Sequence, residues 1–267
     1  MRETDKELKA CAARLKLTFI RDNLEDLLKT ATDNKMTVRE ALAFLFGEEI
    51  RRRNANRCSI WMRGAHFPVI KELGDFDLTF QPSIDPGLFR EMCSLEWIGN
   101  GENVVLVGPP GVGKTHLAIG LGVRAVRSGM TVRFFNAKDL IESLSKAYSE
   151  GAFENKLKEI NKARLLIIDE LGYTPLSPVQ TQLLYHLVAL RYEKKSLIVT
   201  SNRPAGQWEL FMGDKAASNA ILDRLLHHCT ALAIKGESYR IHESRMRKLK
   251  RKAKEKKEEA AESTQAN

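Results

Sequence analysis

Apolar residues over the first stretch of the chain recur at helical spacing: Leu8, Cys11, Ala12 and Leu15, then Leu24, Leu27 and Leu28, then Val38, Ala41, Leu42 and Leu45. Steps of three and four residues gather apolar side chains on one face of a helix, so three short helices are predicted. The third is expected to open at Thr37, because Glu40 stands three residues on and the two can cap the helix reciprocally, and to close in the block Arg51 to Arg53. Residues 1–64 therefore read as a small all-helical N-terminal domain. Residues 65–90 break the rhythm with Pro68, Pro82, Pro86 and several Phe, which suits an irregular connector packed on the domain that follows.

From about Asn103 short β-rich runs alternate with helical segments. Strands are predicted at NVVLVG, TVRFFN, RLLIID, SLIVTS and ALAIK, with helices between them starting near Lys114, Lys138, Pro178 and Ala216. Strands separated by helices of crossover length imply an α/β domain, here residues 91–243, with a parallel sheet covered by helices on both faces. The strand NVVLVG runs straight into a glycine loop, where such folds place a phosphate site.

Composition adds limits. With 43% apolar and 29% charged residues in 267, the chain can bury an ordinary core. No apolar run approaches the roughly 20 residues needed to span a bilayer, and MRETDKELKA has no secretory signal, so a cytoplasmic protein without a membrane partner is expected. Cys11, Cys58, Cys93 and Cys229 are scattered with no CxxC pair, which argues against zinc and disulfides. The formal charge of +9 is concentrated in one place: nine basic residues lie between Arg245 and Lys257 against the single acid Glu255. Residues 244–267 read as a basic tail, frayed or disordered. A second cluster holds Arg51, Arg52, Arg53 and Arg57 and reaches Arg63. Basic clusters beside a globular domain point to a polyanion, with nucleic acid favoured because no amphipathic membrane anchor accompanies them, although such a tail can also serve solubility alone.

The chemistry is concentrated in four motifs. Gly108, Pro109, Pro110, Gly111, Val112, Gly113, Lys114 and Thr115 satisfy GxxxxGK[ST] between a predicted strand and a predicted helix. Backbone N–H groups there can cradle phosphates, Lys114 can reach the β and γ oxygens, and the Thr115 hydroxyl can ligate magnesium; His116, next along, is counted with the nucleotide-binding residues. RLLIIDE is an apolar strand that ends in two acids: Asp169 for magnesium, Glu170 for polarising the attacking water. SLIVTSN ends in Asn202, which parallel packing would bring beside those acids to orient the water or touch the γ-phosphate. ILDRLLHHC carries Arg224 in an apolar helix, suited to insertion into a neighbouring subunit's site, or else to an ion pair with Asp223 or Asp214. His227 and His228 have no acid or cysteine at ligand spacing and are assigned no chemistry. ATP and Mg2+ are the expected cofactors.

The order of GPPGVGKTHLAIGLG, LLIIDELGY, IVTSN, AILDRLLHH and IKGESYR, with FDLTFQPSID ahead of them, resembles the IstB family of AAA+ P-loop ATPases, helper proteins encoded beside the transposase in one class of bacterial insertion sequences. More distant relatives are the DnaC-type helicase loaders. The resemblance implies an ATP hydrolase that binds duplex DNA without strong sequence preference, oligomerises with ATP, and presents target DNA to a cognate transposase that it stimulates. It also places Arg224 at the arginine-finger position and Arg240 where a second sensor arginine stands in loader relatives, although the charged residues after Arg240 cannot build a full helical lid. A replicative helicase loader is the alternative. A metabolic P-loop kinase fits poorly, because no acceptor-substrate site is recognisable.

Overall fold

The structure is a computed structural model that describes residues 3–239, 241, 242, 244 and 245. Two compact units divide the chain between Trp61 and Met62. Arg240 and nearly all of the expected basic tail lie outside the described residues.

In the first unit the chain forms α1 (Glu3–Arg14), α2 (Thr18–Asp22), α3 (Leu24–Asp33) and α4 (Val38–Gly64), the last crossing into the second unit. Ala12, Ile20, Leu24 and Leu27 make its core, with Phe44 and Leu45 packed against them. The capping box forms as predicted: the Thr37 amide donates to Glu40 Oε2 at 2.7 Å. Two expectations are corrected. The sequence reading lacks α2, and α4 does not stop at Arg51–Arg53 but runs through the block to Gly64. Nothing there breaks a helix, and pairs between Glu48 and Arg51 and between Glu49 and Arg53 support it across the turn. Glu49 is buried, accepting from the Ile20 amide at 3.0 Å and from Arg53 Nε at 2.8 Å. Burial alone would raise its carboxyl, but these bonds outweigh it and hold it below the usual range.

The second unit opens with α5 (Pro86–Ser94) and α6 (Glu96–Asn100), then alternates β1 (Asn103–Val107), α7 (Lys114–Arg127), β2 (Val132–Asn136), α8 (Ala137–Ser149), α9 (Phe153–Ile160), β3 (Leu165–Leu171), α10 (Pro178–Arg191), β4 (Ser196–Ser201), α11 (Lys215–His227) and β5 (Cys229–Ala233). All five strands are parallel, in the order β2-β3-β4-β1-β5, as the strand–helix alternation implied. Side chains alternate across the sheet. Leu166 and Ile168 join a core with Leu140 and Leu144 of α8, Leu184 and Leu187 of α10 and Ile221 of α11, while α7 packs along β1 to β4. Among the helices the sequence reading misses α5, α6 and α9, and β5 begins two residues before the predicted ALAIK.

Candidate nucleotide site

Parallel strands bring their C-terminal ends to one edge of the sheet, and the predicted motifs meet there. β1 ends at Val107, and Gly108, Gly111 and Gly113 all take positive φ before α7 begins at Lys114. At Gly113 a Cβ would stand 2.7 Å from the Phe76 ring, so only glycine lets the loop turn under the connector. The N-terminus of α7 then faces the loop, the arrangement that favours an anion. Lys114 Nζ is folded over it, donating to the carbonyls of Gly108 at 2.7 Å and Pro109 at 2.8 Å.

Thr115 Oγ1 donates to Asp169 at 2.9 Å. Asp169 is 5% exposed, and burial pushes its carboxyl above the ordinary aspartate range, against the hydroxyls of Thr200 and Thr115. A hydroxyl and a buried carboxylate, both hard oxygen donors, fit a magnesium ion. Glu170 sits where the register between β3 and β4 shifts, with φ of 62°. Its amide donates to Thr200 Oγ1 at 2.9 Å, and the same hydroxyl donates to Asp169 at 2.6 Å. Thr200 thus ties the two acids to the neighbouring strand. Glu170 Oε2 accepts from Asn136 Nδ2 at 2.9 Å.

A cavity of about 820 Å³ joins Pro110 to His116 with Glu170 and Asn202. Its other wall is the connector, through Lys71, Phe76, Phe80 and Gln81, together with Tyr239. Sequence reasoning passes over this wall, and over Asn136 and Thr200. The aromatic run FDLTF is the signal that points to the connector. His116 lines the cavity, shares a hydrogen bond with the Glu72 carbonyl at 2.9 Å and meets the Phe76 ring edge-on.

Arg224 lies on α11 and does not line that cavity. It donates to the Ala220 carbonyl at 2.9 Å, and its guanidinium lies 5.1 Å from the Tyr185 ring and 5.9 Å from that of Tyr192. Among the described residues it forms no ion pair with Asp223 or Asp214; Asp214 instead caps α11 at the Ala217 amide. His227 and His228 are corrected: the turn after α10 brings Glu193 to 3.7 Å and 3.5 Å from them, and Tyr192 shares a 2.7 Å hydrogen bond with His227. The acid is remote in sequence, so spacing along the chain could not reveal it.

Of the arginines assigned to DNA, Arg53 is engaged within its own unit, donating to Glu49 and to the Lys16 carbonyl. Arg51 pairs with Glu48, and Arg57 donates to Asn54 at 2.7 Å beneath Trp61. They lie within α4, not at its end. No helix of the described residues is long and apolar enough to cross a membrane.

Comparison with known proteins agrees with this geometry. The chain is similar to an ATP-binding protein of insertion sequence IS21 from Pseudomonas aeruginosa, 44% identical over 239 residues and covering 90% of each chain. A counterpart from IS5376 of Geobacillus stearothermophilus is 38% identical, over 90% of this chain and 95% of that one. The solved structure of DnaI shares the fold, with a TM-score of 0.52 at 21% identity over 62% of this chain and 91% of that one. Residues 10–247 match the family described as IstB-like ATP binding protein, and with the glycine loop, Asp169 and the parallel sheet in place the chain belongs to that family of AAA+ P-loop proteins of insertion sequences.

Proposed function

We propose that this protein hydrolyses ATP to control its own assembly on duplex DNA, and that the assembled form recruits or stimulates the transposase of its insertion sequence. The observation that carries the reading is the meeting of Thr115 Oγ1 and Asp169 at 2.9 Å beside the Lys114 loop, with Glu170 and Asn202 facing the same cavity. Backbone N–H groups of residues 108–115 and the Lys114 ammonium hold the triphosphate. Thr115 and Asp169 would hold a magnesium ion, which would supply neutralising charge to the triphosphate. Glu170 takes up the proton of the attacking water, and Asn202 orients that water.

Catalysis then depends on assembly. Arg224 stands apart from its own cavity and reaches the γ-phosphate of an adjoining copy, where an arginine stabilises the charge that develops during transfer. In the same reading Arg240 serves as a second sensor. Arg51, Arg52 and Arg57 contact DNA phosphates, and relatives carried by insertion sequences favour a transposition role over helicase loading. ATPase activity with and without duplex DNA, followed by electron microscopy of the ATP–DNA complex, tests the reading. A protein that never hydrolyses ATP and never forms a DNA-bound oligomer contradicts it.

A further inference from the structure

Gln81 is 2% exposed and lines the nucleotide cavity. Among the described residues, neither its amide oxygen nor its amide nitrogen has a hydrogen-bond partner. Its backbone is already committed, with the amide donating to the Leu78 carbonyl at 3.2 Å and the carbonyl accepting from Ile84 at 3.1 Å. Buried side-chain amides in folded proteins are nearly always paired, so one with both ends open calls for an explanation. A ligand that completes it is such an explanation.

The surroundings suit a flat heteroaromatic ring. Val69, Phe76, Phe80, Ile119 and Tyr239 face the same cavity, and the Phe80 and Tyr239 rings meet edge to face at 5.2 Å. The loop after β5 presses on the amide without covering it by a side chain: a Cβ on Gly236 would stand 2.8 Å from Gln81 Oε1. The phosphate loop bounds the same space at Pro110 to Thr115, so a nucleotide anchored there extends its base toward the connector.

We propose that Gln81 reads the base of the bound nucleotide, its amide oxygen accepting from the N6 amino group of adenine and its amide nitrogen donating to N7. The inference rests on ATP occupying this cavity. A Gln amide matches that edge of adenine in two hydrogen bonds, whereas guanine offers two acceptors there, O6 and N7. With guanine bound, the amide oxygen faces another acceptor and the buried group stays unsatisfied. Sites that use a buried polar group in this way discriminate more sharply than apolar pockets.

The test measures the affinity of the full chain for ATP, 7-deaza-ATP and GTP, in the wild type and in Gln81→Met. Methionine keeps the length of the side chain and removes both polar atoms. The wild type is expected to prefer ATP over either other nucleotide by about tenfold or more, the usual size of a bidentate base contact, and the variant to bind all three within about threefold. Equal wild-type affinity for ATP and 7-deaza-ATP overturns the proposal, as does a Gln81→Met protein that keeps the wild-type preference. Should the variant fail to fold, the wild-type comparison of ATP with 7-deaza-ATP decides alone. Failure of the nucleotide site itself looks different: Lys114→Ala then leaves ATP affinity unchanged.

Discussion

Asn136, the last residue of β2, donates from Nδ2 to Glu170 Oε2 at 2.9 Å, so the acid read as catalytic is held by a neighbour on the adjacent strand. The same Asn136 caps α8 by accepting from the Lys138 amide at 3.0 Å, which fixes its side chain in place. A hydrogen bond to a charged group contributes about 1.5–3 kcal/mol. Releasing Glu170 from it is expected to raise hydrolysis in the absence of DNA by up to about tenfold. Steady-state turnover of Asn136→Ala with and without duplex DNA checks this. A basal rate equal to that of the wild type would show that the bond does not restrain the acid.

Lys114→Ala is expected to lose ATP binding, because it removes the ammonium that would reach the phosphates together with its bonds to the Gly108 and Pro109 carbonyls of the loop. Glu170→Gln should bind ATP normally and turn it over very slowly, trapping the assembled state on DNA. Equilibrium nucleotide binding separates the two variants. Normal turnover by Glu170→Gln removes it from the catalytic role.

Burial of Asp169 carries a stability penalty that a role in holding magnesium would account for. Burial raises its folded-state pKa above the ordinary value, so the folded protein holds that proton more tightly than the unfolded chain does. Its favourable contribution is complete below the ordinary aspartate range and is lost as pH rises through the raised value. At neutral pH Asp169→Asn is therefore expected to unfold at higher temperature, by about 2–4 °C for each kcal/mol relieved, and the gap closes on acidification into the carboxylate range. Melting curves across pH read this directly. Adding Mg2+ and ATP should stabilise the wild type and not the variant.

Arg224→Ala is expected to leave ATP affinity nearly unchanged while lowering DNA-stimulated hydrolysis by roughly 10³-fold, the scale of an arginine acting in trans. Mixed assemblies give the decisive measurement. Arg224→Ala subunits, which keep Glu170, should restore activity when combined with Glu170→Gln subunits, which keep Arg224. No recovery on mixing argues against an arginine that works across the interface.

What the sequence reveals and what it hides divide along physical lines. The glycine loop, Asp169, Glu170 and Asn202 are legible because each stands within two residues of the end of an apolar strand, and strand ends in a parallel sheet share one edge. Asn136 and Thr200 are ordinary polar residues at strand ends, and their roles exist only once β2, β3 and β4 lie side by side. The connector is hidden for a similar reason: Phe76 and Gln81 acquire meaning only by facing the phosphate loop. The full length of α4 is hidden because a run of arginines looks like a boundary, whereas Glu48 and Glu49 one turn earlier pair with Arg51 and Arg53.

Those pairs decide how the DNA surface is to be tested. Arg53 binds the buried Glu49 and the Lys16 carbonyl, so Arg53→Ala removes one of the bonds that hold a buried carboxylate and confuses folding with DNA binding. Arg51, by contrast, forms an exposed pair with Glu48, the kind worth little to stability. Replacing Arg51, Arg52 and Arg57 by Ala and keeping Arg53 therefore isolates the arginines that can bind phosphate. Each phosphate of B-form duplex left without its arginine should flatten the dependence of log affinity on log salt by about 0.9. The basic tail competes for the same role, but its contacts require ordering at every fixed phosphate if it is unstructured, and then contribute mainly long-range steering. The triple variant is accordingly expected to lose ATP-dependent loading on duplex DNA, and truncation after Glu243 to weaken binding moderately while assembly persists. Binding isotherms for both proteins across a salt series distinguish the two surfaces. A truncated protein unable to load, beside a triple variant that loads normally, moves the DNA-binding surface from α4 to the tail.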